Sequence, residues 1–76
     1  MDKIIDILQD INPDIDYKNR TDLIDAHLLD SLSIISLIAE LEDTFDVTIP
    51  AVDIIPDNFN SVKAISALIE RLQEED

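Results

Sequence analysis

SLSIISLIAELEDT, residues 31–44, is the stretch that decides the fold. Its apolar side chains recur every three or four residues, which is the spacing of one face of an α-helix. The stripe consists of Ile34, Ile38 and Leu41, continued by Phe45 just after the stretch and widened by Ile35 and Leu37. Asp30 stands where a helix N-cap acceptor belongs, so the pattern predicts a helix from about Ser31 to Thr44.

Two further stretches with helical periodicity flank this one. The first runs from about Asp2 to Ile11, with Pro13 stopping it just beyond, and the third runs from about Ser61 to Gln73, with Asn60 as its predicted N-cap. Their apolar positions are Ile4, Ile5, Leu8 and Ile11 in the first and Val62, Ile65, Leu68, Ile69 and Leu72 in the third.

The connections between these helices complete the predicted architecture. Residues 12–29 form a long connection for so small a chain. Its apolar residues, Leu23, Ile24, Leu28 and Leu29, predict that it packs against the core. Residues 47–49 look extended, and a short helical turn is predicted around Ala51 to Ile55. Because no pair of strands with a hairpin turn is visible, we expect one all-α domain over residues 1–76, a small bundle of three main helices plus a short fourth.

The size, charge and composition of the chain exclude several classes of function. The chain has 76 residues, 46% of them hydrophobic, and 18 acidic against 5 basic residues give a formal charge of −13. Such a charge repels nucleic acid and anionic membranes and attracts basic partners. No cysteine is present, and no apolar run approaches the roughly 20 residues that span a bilayer. We therefore expect a cytoplasmic monomer without membrane insertion, and one too small to enclose a catalytic cavity.

An acidic stretch resembles the opening of a calcium-binding loop but lacks its key residues. Residues 10–16 place Asp, Asn and Asp at alternate positions. The sixth position of such a loop needs glycine and the twelfth a bidentate glutamate, and here they are Ile15 and Thr21. We interpret the stretch as a solvated acidic loop and predict no metal site.

His27, Asp30 and Ser31 raise the possibility of a hydrolytic triad. The nucleophile elbow of such enzymes is a G-x-S-x-G turn, and here its glycine positions hold Leu29 and Ser33. We predict no catalytic residue. Ser31 instead lies in the predicted first helical turn, where unpaired backbone N–H groups and the helix dipole favour an attached anion.

These features together resemble the phosphopantetheine-dependent carrier protein family over nearly the whole chain. Residues 29–32, Leu-Asp-Ser-Leu, match the family's attachment motif, and residues 41–45 and 47–50 match the end of its acidic helix and its Ile-Pro segment. The resemblance implies an acyl-carrier-protein-like helical bundle in which Ser31 carries a covalent 4′-phosphopantetheine. The thiol of that arm would hold an acyl or aminoacyl group as a thioester.

The same resemblance implies the partners. A phosphopantetheinyl transferase using magnesium would modify the chain, an acyl- or aminoacyl-loading ligase would charge it, and a downstream transferase would unload it. The second helix would be the recognition surface for these enzymes, with Leu32 and Ile35 as apolar contacts and Asp30, Glu42 and Asp43 as charged contacts.

Departures from the family pattern point to a subtype. Typical fatty-acid carriers have acidic residues where this chain has Ser33 and Ser36. Residues 50–61 look more like the D-alanyl carrier proteins, although Phe59 stands in place of the usual Trp and Leu32 in place of a common Met. Leu28 occupies a position where many carriers have glycine.

Two alternatives stay open from the residues alone. An acidic helical adaptor that binds a basic partner without a cofactor would explain the charge. A small hydrolase using Ser31 and His27 has only the presence of those two residue types in its favour. The mass of the protein after treatment with coenzyme A and a transferase separates the adaptor from the carrier.

Overall fold

The computed structural model describes residues 2–75, whose regular elements are all helices, with no β-strand among them. Three long helices, α1 (Asp2–Ile11), α2 (Ser31–Phe45) and α4 (Val62–Glu75), form the bundle predicted from the sequence. Between α2 and α4 lie a 3₁₀ turn (Ala51–Asp53) and a four-residue helix, α3 (Pro56–Phe59). No helix within residues 2–75 is both long and apolar enough to cross a bilayer.

One hydrophobic core joins the helices and the connection between α1 and α2. Every buried side chain among residues 3–74 is apolar or aromatic. The core contains Ile4, Ile7, Leu8, Tyr17, Leu23, Leu29, Leu37, Leu41, Val47, Ile49, Phe59, Val62, Ile65, Leu68, Ile69 and Leu72. All five apolar positions predicted for the last helix are therefore buried, whereas Ile7 was not among the positions predicted for the first.

The buried stripe of α2 differs from the predicted one. Leu37 and Leu41, four residues apart, are its two buried side chains, while Ile34, Ile38 and Phe45 are only half-buried. Predicting Ile35 as part of the core stripe was wrong, because 63% of its surface is exposed. At 100° per residue, positions on both sides of Leu37 fall within one broad apolar arc, so spacing alone does not locate the centre of that arc.

The connection between α1 and α2 is packed down as predicted. Leu23 and Leu29 are buried, and Tyr17 inserts into the core with its hydroxyl 3.0 Å from the carbonyl of Leu8 and 2.7 Å from that of Asn12. The Leu8 carbonyl lies in the last turn of α1 and also accepts from the N–H of Asn12 at 2.8 Å, and Asn12 is the first residue after the helix. The phenol therefore fixes the end of α1 against the connection. Burial raises the pKa of the Tyr17 phenol, so the hydroxyl stays protonated and available as a donor.

Ser61, and not Asn60, is the N-cap of α4. The Ser61 Oγ accepts a hydrogen bond from the N–H of Ala64 at 3.0 Å, which is the geometry of a capping serine. The prediction that Asn60 caps this helix was therefore wrong. The Asn60 amide is used elsewhere: its Oδ1 accepts from the N–H groups of Ile24 and Asp25, at 2.9 and 3.1 Å. The sequence gives no sign of this contact, because the partners are 35 and 36 residues apart.

Asp46 ends α2 in the left-handed backbone conformation. Its φ and ψ are 54° and 51°, and its N–H donates to the carbonyl of Glu42. The Glu42 carboxylate also accepts from the N–H of Ile49 at 2.9 Å. Glu42 therefore accepts hydrogen bonds from the backbone N–H groups of Asp46, at the turn, and of Ile49, after it. The segment held in this way places Val47 and Ile49 in the core.

We expect Asp46→Gly to raise the free energy of unfolding by about 0.5–1 kcal/mol, because glycine adopts positive φ without a steric penalty. Urea denaturation measures the change. Asp43→Gly is the matched control, since Asp43 lies inside α2 and the same substitution there lowers stability by about 0.5–1 kcal/mol. An equal effect of both substitutions would contradict the assignment.

The segment between Pro50 and Asn60 holds two short elements where one was predicted. The helical turn expected around Ala51 to Ile55 is a 3₁₀ turn that ends at Asp53, and α3 then starts at Pro56. Arg71 of α4 fixes the first element through a 3.1 Å ion pair with Asp53. Proline favours the first position of a helix, which explains why a new helix starts there.

Candidate functional site

Ser31 is the first residue of α2, and its side chain is exposed. The residues before it are anchored: Leu29 is 3% exposed, and its N–H donates to the carbonyl of Leu23 at 3.1 Å. The chain thus leaves the core at Leu29 and presents the serine hydroxyl at the surface two residues later. A macromolecular partner can reach this hydroxyl without any rearrangement of the core.

Asp30 caps α2, as predicted. Its backbone is extended, with φ −87° and ψ 179°, and its Oδ1 accepts from the N–H of Ser33 at 2.8 Å. The hydrogen bond from the Ser33 backbone N–H is the main reason that the pKa of Asp30 is lowered, and a second one from the Ser33 side chain adds to it. The carboxylate is therefore charged at neutral pH and holds the start of the helix in place.

The lowered pKa of Asp30 predicts a pH dependence of stability. A depressed folded-state pKa contributes stability above the ordinary carboxylate range, and the contribution is lost as the pH falls through the folded-state value. We expect Asp30→Asn to melt at a lower temperature than the wild type at pH 7, with the difference shrinking below about pH 4. Thermal melts of both proteins between pH 2.5 and 7 measure it. A difference independent of pH would contradict the role of the charge.

The first turn of α2 offers a suitable place for a phosphodiester on Ser31. It contains no acidic side chain, and the helix is 15 residues long. The N-terminal N–H groups of such a helix carry a partial positive charge that stabilises a nearby anion. A phosphodiester on the Ser31 oxygen would lie beside these groups, so the residues present fit the group that the sequence implies.

Exposed apolar side chains surround this serine. Leu32 is 76% exposed, and Ile35, one helical turn after Ser31, lies on the same side of α2. In the segment after α2, Val52 and Ile54 are also exposed, by 81% and 40%, and Ile54 lines a groove together with Ile34 of α2. Solvent-exposed isoleucine, leucine and valine in such number are typical of an interaction surface. We did not predict Val52 and Ile54 from the sequence, because residues 51–55 lack the periodicity that separates buried from exposed positions.

The two predicted acidic contacts of α2 differ in their surroundings. Asp43 is exposed. Glu42 is half-buried, and its carboxylate accepts the hydrogen bond from Ile49 described above. The structure thus gives Glu42 a role within the fold, and its contact with partner enzymes stays a prediction.

A small apolar groove lies beside the first turns of α2. Its volume is about 110 Å³, and Ile34 and Phe59 contribute to its lining. The other lining residues are Ile24, Ile54, Ile55 and Pro56. This volume lies below the range of about 300–1,000 Å³ that is usual for small-molecule sites.

His27 and the acidic loop show local structural roles. His27 is exposed and adopts the left-handed conformation, with φ 57°, where the connection turns toward α2. In the acidic loop, Asn12 Oδ1 accepts from the N–H of Asp14, and Asn19 donates to the carboxylate of Asp16. Within residues 2–75, no group of three or more histidine or carboxylate side chains is arranged to hold a metal ion.

The small helical bundle and the exposed serine at a helix start define a class of protein that carries a group on its surface. Comparison with known families identifies the class: the family described as "Phosphopantetheine attachment site" matches residues 2–69. The chain belongs to this family, and its cofactor is 4′-phosphopantetheine, attached covalently to a serine.

Individual relatives indicate the subtype. The chain is 44% identical over 52 residues to the D-alanyl carrier proteins of Streptococcus pyogenes serotypes M5 (strain Manfredo), M49 (strain NZ131) and M1. The alignment covers 68% of this chain and 66% of each relative, slightly less than two thirds of their length. No solved structure matches the chain significantly. The resemblance to D-alanyl carriers seen in the sequence is thus confirmed.

Proposed function

We propose that Ser31 is the attachment residue and that the chain carries an aminoacyl group of the D-alanyl type. The observation that carries the proposal is the exposed Ser31 at the start of α2, within the part of the chain that matches the family. Ser31 lies in an Asp-Ser-Leu motif, and Asp30 fixes the helix start against which the attached phosphodiester would lie.

The attachment is a phosphoryl transfer onto the Ser31 hydroxyl. The oxygen forms a bond to the phosphorus that bears the pantetheine in coenzyme A, the pyrophosphate bond breaks, and adenosine 3′,5′-bisphosphate leaves. The serine proton goes to a base of the transferase, so this chain needs no base of its own. The attached arm supplies a thiol that holds the cargo as a thioester. Because the reaction consumes coenzyme A, the proposal places the carrier in the cytoplasm.

The partner enzymes would bind to the surface around Ser31. A phosphopantetheinyl transferase, an aminoacyl-loading ligase and a downstream transferase each have to bring an active site to the same hydroxyl or its arm. Leu32 and Ile35 offer apolar contact near Ser31, and Asp30 beside it and Asp43 near the other end of α2 offer charge to basic partner surfaces. These enzymes would perform all the chemistry, and the chain itself would only hold and present the group.

Two observations support a small aminoacyl cargo over a long acyl chain. The relatives are D-alanyl carriers at 44% identity. The apolar groove beside α2, at about 110 Å³, is too small to bury a long hydrocarbon chain. A short, charged cargo gains nothing from burial and can remain in solvent.

The cargo proposal is tested by loading. The phosphopantetheine-bearing protein is incubated with ATP, D-alanine and a D-alanine-activating ligase, and its intact mass is measured. We expect the gain of one D-alanyl group, which hydroxylamine removes because it is a thioester. Loading with a medium-chain fatty acid by an acyl-activating ligase, and not with D-alanine, would overturn the proposed cargo while leaving the carrier assignment in place.

A further inference from the structure

A cleft of about 540 Å³ lies away from α2, between α1, the connection that follows it and the start of α4. Ile5, Tyr17 and Val62 form its apolar floor, and the last two are buried. No residue of α2 lines this cleft, so it is separate from the surface around Ser31. Its volume is within the range of about 300–1,000 Å³ that is usual for small-molecule sites.

The charge of this cleft is opposite to that of the protein. Three of the five basic residues of the chain, Lys18, Arg20 and Lys63, line it, and none of its lining residues is acidic. Arg20 is held by Asp22, with its Nε 2.9 Å from Oδ1 and its second nitrogen 3.1 Å from Oδ2. Both lysines are exposed. Because Asp22 compensates the charge of Arg20, the two exposed lysines supply the unpaired positive charge of the cleft in a chain with a formal charge of −13.

The start of α4 adds to the positive potential. Ser61 and Val62 line the cleft, and they are the cap and the first residue of this 14-residue helix. The Ser61 hydroxyl is engaged with the N–H of Ala64, which leaves other first-turn N–H groups at the positive end of the helix. The lining residues come from three separate parts of the sequence, residue 5, residues 17–21 and residues 61–63, and meet at one place.

We propose that this cleft binds a small amphiphilic anion, a short apolar chain that bears a carboxylate or a phosphate. The chain lies against Ile5 and Val62, and the anionic head faces the lysine side chains. Charge complementarity selects the head, because anions are repelled elsewhere by the acidic surface. The same net charge opposes contact with an anionic bilayer, so the ligand is a soluble molecule and not a lipid in a membrane.

The test is an NMR titration of the Ser31→Ala protein with monomeric octyl phosphate, which keeps the result independent of the proposed attachment. We expect saturable amide shifts at Ile5, Thr21 and Lys63, residues of the cleft. Inorganic phosphate and octanol, each with half of the ligand's chemistry, should bind at least about tenfold more weakly. Binding of inorganic phosphate or of octanol as tight as that of octyl phosphate, or amide shifts confined to α2, would overturn the proposal.

Two matched variants test the charge. Lys63→Gln removes one exposed lysine from the cleft, and Lys3→Gln removes one exposed lysine from outside it. We expect the dissociation constant for octyl phosphate to rise about fivefold in the first and less than about twofold in the second. Equal weakening in both would show only a general effect of net charge and would contradict a site. Binding to phosphatidylglycerol vesicles without binding to free octyl phosphate would contradict a soluble ligand.

Discussion

Ser31→Ala should abolish loading with phosphopantetheine while leaving the fold intact. The substitution removes the only oxygen that residue 31 offers to the transferase. Because the side chain is exposed at the first position of α2, we expect the free energy of unfolding to change by less than about 0.5 kcal/mol. Intact-mass measurement after incubation with coenzyme A and a transferase reports loading, and urea denaturation reports stability.

Two neighbouring serines on the same helix are the controls for this experiment. Ser33 and Ser36 lie within two turns of Ser31, the first half-buried and the second exposed. Ser33→Ala and Ser36→Ala should load to the same extent as the wild type. A Ser31→Ala protein that still gains an arm, or complete loss of loading in the Ser36→Ala protein, would overturn the assignment of the attachment residue.

The second large effect is expected at Asn60. Asn60→Ala removes the acceptor of two backbone N–H groups, those of Ile24 and Asp25, and a 3.2 Å hydrogen bond from Nδ2 to the Asp25 carboxylate. The Ile24 N–H is partly buried and loses its partner, so we expect a loss of about 2 kcal/mol in the free energy of unfolding. Hydrogen exchange should also speed up at Ile24 and Asp25 more than within α1.

Asn19→Ala is the matched control for this loss. Asn19 lies in the connection between α1 and α2, as Ile24 and Asp25 do; it is exposed and makes one side-chain hydrogen bond, 2.7 Å to the Asp16 carboxylate. We expect its replacement to change stability by less than about 0.5 kcal/mol. If the two alanine variants lost equal stability, the hydrogen bonds of Asn60 would not be what holds the α1–α2 connection against the start of α4.

The residues that the sequence located correctly are those whose role depends on near neighbours. The bounds of α1 and the start of α2 follow from apolar spacing together with Pro13 and Asp30, all within one or two helical turns. The position of Ser31 at the exposed start of α2 follows in the same way from its neighbours, whereas its role as the attachment residue stays a proposal. For the same reason, the packing of Leu23 and Leu29 could be inferred from their apolar side chains alone.

The features that the sequence did not reveal depend on contacts between distant segments. Asn60 has the chemistry of a helix cap, and only the fold brings it against residues 24 and 25. The cationic cleft needs Lys18 and Lys63 on one surface, although they are 45 positions apart in the sequence. Glu42 was predicted as a partner contact from its charge, and its hydrogen bond to Ile49 becomes visible only when the turn at Asp46 is known.

The charge distribution gives the molecule two unlike surfaces. The exposed side of α2 combines Leu32 and Ile35 with Asp30 at its start and Asp43 near its end, which would suit the basic partner enzymes proposed above. The cleft at α4 is apolar and cationic and suits an anion. Because no residue of α2 lines the cleft, a ligand bound there leaves Ser31 accessible.

The central claim, that the protein carries phosphopantetheine on Ser31, is tested most directly by mass spectrometry of the wild-type protein. The purified chain is measured before and after incubation with coenzyme A, magnesium and a broad-specificity phosphopantetheinyl transferase, and the product is then digested and mapped. We predict the gain of a single arm, located on the peptide that contains Ser31. No gain by a folded protein, or an arm located on another serine, would contradict the account.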